Sequence, residues 1–145
     1  MLKFIAQILT AKGSDVLSIS PDAVIYDALA LMAEKNVGSL VVLVEGRVVG
    51  VFTERDYARK VDLCGLYSQR ATVRQAMSED ICCVTPETSV EEAMAVVTET
   101  RHRHLLVMED DKLVGLASIG DLVKASLDEK NFVIEQLTKY IKGHL

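Results

Sequence analysis

Apolar positions along the chain fall into two kinds of pattern, and each kind occurs twice. The first is helical. Ile25, Ala28, Leu29 and Met32 are spaced i, i+3, i+4, i+7, and so are Val90, Ala93, Met94 and Val97. That spacing puts each set on one stripe of an α-helix. The second pattern is a pair of β-rich runs, "SLVVLV" and "VVGVF" after the first helix, "HLLVM" and "LVGLA" after the second. Their connectors, "EGR" and "EDDK", are short and polar, so each pair predicts an antiparallel hairpin. A short apolar stretch (residues 16–19 and 81–84) leads into Ser-Pro or Thr-Pro, a turn signal, before each predicted helix. A further helix follows each hairpin, over residues 54 to about 61 and 119 to about 127. The predicted unit is β-α-β-β-α.

The two units are copies. "SPDAVIYDALALMAEKNVGSLVVLVEGRVVGVFTERD" aligns without a gap on "TPETSVEEAMAVVTETRHRHLLVMEDDKLVGLASIGD". Pro21 matches Pro86, Ala28 matches Ala93, Leu40 matches Leu105, Gly50 matches Gly115 and Asp56 matches Asp121, all at one constant offset. The strands are near-continuous Val/Leu runs, so both sheet faces are expected to be buried. One small unit cannot supply that cover. The expected architecture is therefore α+β, with two pseudo-symmetric repeats packed sheet to sheet as one globule. The boundaries read from the sequence are repeat 1 with its lead-in over 1–62, a linker with a short helix over 63–80, repeat 2 over 81–127, and a C-terminal helix over 128–145. Ser89 and Glu92, like Thr72 and Gln75, form Ser/Thr-x-x-Glu/Gln capping boxes; Val24 leaves the first repeat's helix without one. In the C-terminal segment, Phe132, Val133, Leu137 and Ile141 sit at roughly helical spacing. They predict packing on the body or a dimer contact.

Composition narrows the function. The 145 residues, half of them hydrophobic, suffice for one sizeable core and exclude a disordered tail. The longest fully apolar run, residues 28–33, falls far short of the ~20 residues of a membrane span. The N-terminal "MLKFIAQILTAKGSD" lacks a long apolar core and reads as the start of the folded domain, not a signal peptide. A net charge of −5 argues against a nucleic-acid partner. Cys64, Cys82 and Cys83 form neither a disulfide framework nor a zinc motif and read as free thiols of a reducing cytoplasm. No nucleophile–base set, P-loop or G-x-G-x-x-G is present, so no enzyme activity is expected. His102-x-His104 lacks a third ligand, and no metal site is expected.

Chemistry concentrates where each hairpin ends. Gly50-Val-Phe-Thr53-Glu-Arg55-Asp56 matches Gly115-Leu-Ala-Ser118-Ile-Gly-Asp121. Thr/Ser-x-x-acid is a helix-capping pattern worth about 1 kcal/mol. Asp, however, is one methylene shorter than the usual Glu, and a helix N-terminus at the end of a buried strand offers free N–H groups to an anion. A hydroxyl there can meet phosphate, and an Asp one turn in can accept from both hydroxyls of a ribose.

The duplication, the hydrophobic-Ser/Thr-Pro lead-in and the G-h-x-Thr/Ser-x-x-Asp ending resemble paired cystathionine-β-synthase (CBS) domains, a Bateman module. Within that family, "TERDYARKV" and "RHRHLLV" are similar to small stand-alone CBS-pair proteins of bacteria and organelles. The resemblance implies a regulatory sensor that binds AMP, ADP, ATP or NAD(H) in clefts between the repeats. It implies ribose on Asp56 and Asp121, phosphate near Thr53 and Ser118, and adenine against Ile19-Ser20 and Val84-Thr85. It also implies that His or Arg just before the first hairpin strand is aimed at phosphate. His102 and Arg103 hold that place, followed by His104, whereas the first copy has Val37-Gly38-Ser39. A guanidinium fork suits phosphate oxygens. On an extended segment Arg101 would pair with Arg103, and His102 with His104; family position favours His102 and Arg103. Arg55 is a second candidate cation. The expected partners are an adenine nucleotide, a second copy of the chain and a regulated enzyme. The alternative is a non-catalytic dimerisation or interaction module whose nucleotide clefts are vestigial.

Overall fold

Both duplicated patterns become three-stranded mixed sheets. In the computed structural model, which describes residues 3–143, the elements run α1 (Ile5–Lys12), β1 (Ser18–Ile19), α2 (Ile25–Lys35), β2 (Ser39–Val44), β3 (Arg47–Thr53) and α3 (Glu54–Asp56), followed by a π-helical segment, Tyr57–Asp62. Then come α4 (Val73–Ala76), β4 (Cys83–Val84), α5 (Val90–Thr100), β5 (His104–Glu109), β6 (Lys112–Ser118) and α6 (Ile119–Gly143). The strand order is β1-β2-β3 in one sheet and β4-β5-β6 in the other, the first pair parallel and the second antiparallel in each. The middle strands are the most apolar, and both of their faces are buried: Leu40, Val41 and Val42 are inaccessible, as are Leu105 and Val107.

The hairpins close as two-residue turns in the left-handed region, Glu45-Gly46 and Asp110-Asp111. This type I′ geometry matches the right-handed twist of the flanking strands. Each hairpin also carries an irregularity at the same place, between Val42 and Leu43 and between Val107 and Met108. The helices α2 and α5 end on left-handed residues at equivalent positions, Asn36 and Arg101, which turn the chain into the middle strand.

Contacts divide the chain differently from the boundaries read in the sequence. One unit comprises Val16–Ile81, the other Met1–Asp15 together with Cys82–Leu145. The lead-in thus belongs with the second repeat. Its backbone docks on that repeat's Thr-Pro turn through Ala6 N to Pro86 O and Ile5 N to Thr88 O, both 2.9 Å, and Val90 N to Lys3 O, 2.8 Å. The linker helix α4 makes the equivalent bonds to the first repeat: Arg74 N to Pro21 O, 2.9 Å, Val73 N to Ala23 O, 2.8 Å, and Ile25 N to Ala71 O, 2.9 Å. Ile5, Ile8 and Leu9 complete one core, and Val73, Ala76 and Met77 complete the other. In each core the lead helix adds its apolar residues to those of the repeat's own helices, against alternate residues of the middle strand, Leu40 and Val42 in one repeat and Leu105 and Val107 in the other. Gln75 Oε1 accepts from Thr72 N at 2.8 Å, one half of the expected capping box at α4, and Ser89 Oγ accepts from Glu92 N at 3.0 Å.

Two further departures concern the helices after the hairpins. The first is α-helical only over α3 and then widens into the π-helical turn. Aligned on α6, whose Leu122 and Ala125 are buried, a regular helix would put Lys60 in the core; the wider turn buries Val61 in its place. The second is that α6 is one helix of 25 residues, not a repeat helix followed by a separate C-terminal one. Phe132, Val133, Ile134 and Leu137 on it are exposed. Among the described residues no helix is long and apolar enough to cross a membrane.

A Cβ added to Gly50 would lie 2.7 Å from Ser78 O and 3.0 Å from Met77 Sδ. Because the nearer obstacle is backbone, Gly50→Ala is expected to destabilise the first repeat by about 1–3 kcal/mol in urea unfolding. Asp111 occupies a left-handed position (φ 62°) where the first repeat has Gly46. Asp111→Gly should therefore raise stability, by about 0.5–1 kcal/mol, read as a higher urea midpoint with unchanged slope.

Candidate functional site

The two Thr/Ser-x-x-Asp junctions stand at the end of β3 and of β6, where a buried strand hands over to a helix. In the first, Asp56 N donates to Thr53 Oγ1 at 3.1 Å, while Thr53 N and Thr53 Oγ1 both donate to Asp56 Oδ2 at 3.0 Å. In the second, Asp121 N donates to Ser118 Oγ at 3.1 Å and Ser118 N donates to Asp121 Oδ2 at 2.9 Å. Both are complete reciprocal capping boxes. The shorter side chain of Asp, which in the sequence weighed against a role in capping alone, does not keep the box from closing. With the cap residue still in extended geometry, the aspartate spans the turn without the extra methylene.

The supply of free N–H groups is also smaller than expected. Glu54 N donates to Gly38 O at 3.1 Å and Ile119 N donates to Arg103 O at 2.8 Å. The first and third amides of each turn are thus already bound. These same bonds place Gly38 and Arg103 at the junctions, beside strand partners Ser39–Thr53 and His104–Ser118.

Each carboxylate has an ammonium beside it. Lys60 Nζ lies 3.7 Å from Asp56 Oδ1 and donates to Met77 O at 3.2 Å. Lys12 Nζ lies 2.6 Å from Asp121 Oδ2 and donates to Leu116 O at 3.0 Å. Asp56 and Asp121 are mostly buried, with side chains 14% and 24% exposed. Burial works against ionisation of Asp121, but the hydrogen bond and charge of Lys12 and the Ser118 donors outweigh it and hold the carboxyl below its usual value. Lys60, four residues after Asp56, was legible as an i,i+4 pair. Lys12 carried no local signal, being 109 residues from Asp121.

The remaining candidates do not all converge. Ile19 pairs with Val42 and Val84 with Val107, three residues along the middle strand from Ser39 and His104. Within each repeat, Ile19-Ser20 and Val84-Thr85 therefore lie about 10 Å from the junction. Ser20 Oγ accepts from Asp22 N at 3.2 Å, and Thr85 N donates to Thr88 Oγ1 at 3.1 Å, so both also hold the Pro turn. Arg55 is exposed on the first turn after Thr53. The cationic run is not an extended segment: Arg101 is left-handed, and β5 begins only at His104. Arg101 and Arg103 are exposed, while His102 and His104 are half-buried. The favoured pairing of His102 with Arg103 is therefore split between an inner and an outer position. Cys64, Cys82 and Cys83 are free thiols, and among the described residues no cluster of three His, Cys, Asp or Glu could hold a metal ion.

Comparison with known proteins gives these junctions a context. The family profile of the CBS domain matches residues 7–62 and 73–128. The chain is 37% identical over 148 residues to the mitochondrial CBS domain-containing protein CBSX3 of Arabidopsis thaliana, covering 96% of this chain and 72% of the relative. It resembles the crystal structure of a CBS-domain containing protein, ATU1752, from Agrobacterium tumefaciens, with TM-score 0.82, 35% identity and coverage of 87% of this chain and 95% of the other. It also resembles CBSX2 crystallised in complex with AMP, with TM-score 0.70, 26% identity and coverage of 86% and 97%. The chain belongs to the CBS-domain family, as a tandem pair of the Bateman type and a regulatory rather than catalytic module.

Proposed function

We propose that this chain binds an adenosine nucleotide (AMP, ADP, ATP or NAD(H)) at its Thr/Ser-x-x-Asp junctions and uses it to modulate a partner protein. In this reading Asp56 and Asp121 accept from the ribose hydroxyls, and Thr53 and Ser118 lie near phosphate. Arg103, with Arg55, His102 and His104 as further candidates, supplies positive charge to the phosphate. Ile19-Ser20 and Val84-Thr85 receive the adenine. The supporting observation is that the same part-buried carboxylate is built twice with the same geometry, in a family with a member crystallised with AMP. The capping box does not compete with this role. It fixes each aspartate's rotamer, leaving one oxygen of each carboxylate outside the box to accept a hydroxyl. Three free thiols fit a reducing, cytoplasmic setting.

A nucleotide that binds one arrangement of the chain better than another shifts the population toward it, and a partner can read that shift. A second reading, a non-catalytic homodimerisation or interaction module with vestigial nucleotide sites, draws on the exposed Phe132, Val133, Ile134 and Leu137 of α6. Thermal melting separates the two. A nucleotide at 100 times its Kd adds about 2.7 kcal/mol of stability, and a rise of roughly 5–10 °C in Tm is expected. No shift with any adenine nucleotide at millimolar concentration, together with a concentration-dependent dimer in light scattering, would favour the interaction module.

Side chains divide the ligand. Asp121→Asn keeps an acceptor for Ser118 N but removes the charge facing ribose, so adenosine binding should weaken while free phosphate is spared. Arg103→Ala should weaken AMP far more than adenosine. Equal losses of both ligands in both variants, measured by calorimetric titration, would contradict the assignment.

A further inference from the structure

The two junctions differ in one respect that the duplication does not predict, namely the origin and strength of the ammonium on the carboxylate. We propose that Lys12 is a built-in competitor for the ribose carboxylate of the second repeat, so that the Asp121 site binds nucleosides more weakly than the Asp56 site. The inference rests on the ribose role proposed for these aspartates and adds which site fills first and what holds the other back.

A ribose cis-diol donates one hydrogen bond to each oxygen of a carboxylate. On Asp121, Oδ2 already accepts from Ser118 N at 2.9 Å and from Lys12 Nζ at 2.6 Å. The ammonium is locked from a second side by Leu116 O at 3.0 Å. A nucleoside must break or share this charge-assisted bond to engage both oxygens. On Asp56, Oδ2 accepts from Thr53 N and from the Thr53 hydroxyl, and the hydroxyl is a neutral rotor that can turn its proton elsewhere. Lys60 stands 3.7 Å from Oδ1, beyond hydrogen-bond range.

The difference has a structural origin. Helix α1 has eight residues and carries Lys12 in its last turn, where the helix C-terminus favours a cation. Its counterpart α4 has four residues and ends at Ala76, too early to reach the other junction in the same way. The cation on Asp56 comes from the following π-helical turn instead.

The test uses the full chain with adenosine and 2′-deoxyadenosine as probes, titrated by calorimetry or NMR. Asp56→Asn isolates the second site and Asp121→Asn the first. In the Asp56→Asn background, adding Lys12→Met is expected to tighten adenosine roughly two- to fivefold, the range of a partly exposed ion pair. 2′-Deoxyadenosine, which lacks the diol, should be unaffected. Lys12→Gln should act like Lys12→Met, and Lys12→Arg like the unmodified chain. In the Asp121→Asn background no Lys12 variant should change binding.

Unchanged or weaker adenosine binding in the Asp56→Asn/Lys12→Met chain overturns the inference while leaving the nucleotide reading intact. An equal gain for 2′-deoxyadenosine does the same. Failure of the unmodified chain and of every variant to bind adenosine overturns both.

Discussion

The rest of the fold depends on the need to cover a middle strand that is apolar on both faces. β2 and β5 bury Leu40–Val42 and Leu105–Val107 on both sides of their sheets, a pattern that a three-stranded sheet with its own two helices does not satisfy. On the face of Leu40 and Val42, or of Leu105 and Val107, each repeat completes its core by recruiting a lead helix beside its own helices through backbone hydrogen bonds to its Pro turn, α1 for the second repeat and α4 for the first. The lead segment passes so close to β3 that glycine is required there, since a Cβ on Gly50 would strike the backbone at Ser78 O; along β6 a Cβ on Gly115 would meet the Leu9 methyls, which can shift.

The same arrangement builds the junctions. Because β3 and β6 are held in the sheet up to their last residue, Thr53 and Ser118 are extended when the following helix begins. The reciprocal box then closes on Asp56 and Asp121. A cap and a ligand contact place the same demand on an aspartate, namely one rotamer held in place. What separates the repeats is the lead helix. Its extra length in α1 brings Lys12 to Asp121, whereas α4 ends too soon to bring any counterpart to Asp56. Near-exact internal symmetry in the strands thus coexists with unequal electrostatics at the two carboxylates.

Much of this was legible in the sequence for identifiable reasons. The constant register between copies, the hairpin connectors and the helical stripes are local patterns, and the strands, turns and principal helices formed where those patterns lie. The CBS resemblance rested on those residues and on the Thr/Ser-x-x-Asp endings, and the family comparisons agree with it. The length of the Asp side chain, one methylene short of Glu, was a weak guide to its capping role. The box closes because the backbone, not the extra methylene, sets the distance. For the RHRH run, family position favoured His102 with Arg103, whereas the structure gives the two different exposure, with Arg101 left-handed and β5 starting only at His104.

By itself, then, the sequence determined the duplication, the α+β class, the identity of the junction residues and the family, because each is written in spacing and residue type over short stretches. Only the tertiary structure decided which lead helix serves which repeat, that the tail continues the last repeat helix, that Val61 replaces Lys60 in the core, and that Lys12 sits on Asp121. Those outcomes are settled by packing between segments far apart in the chain and by how far a helix extends before it ends, and neither is carried by any local run of residues.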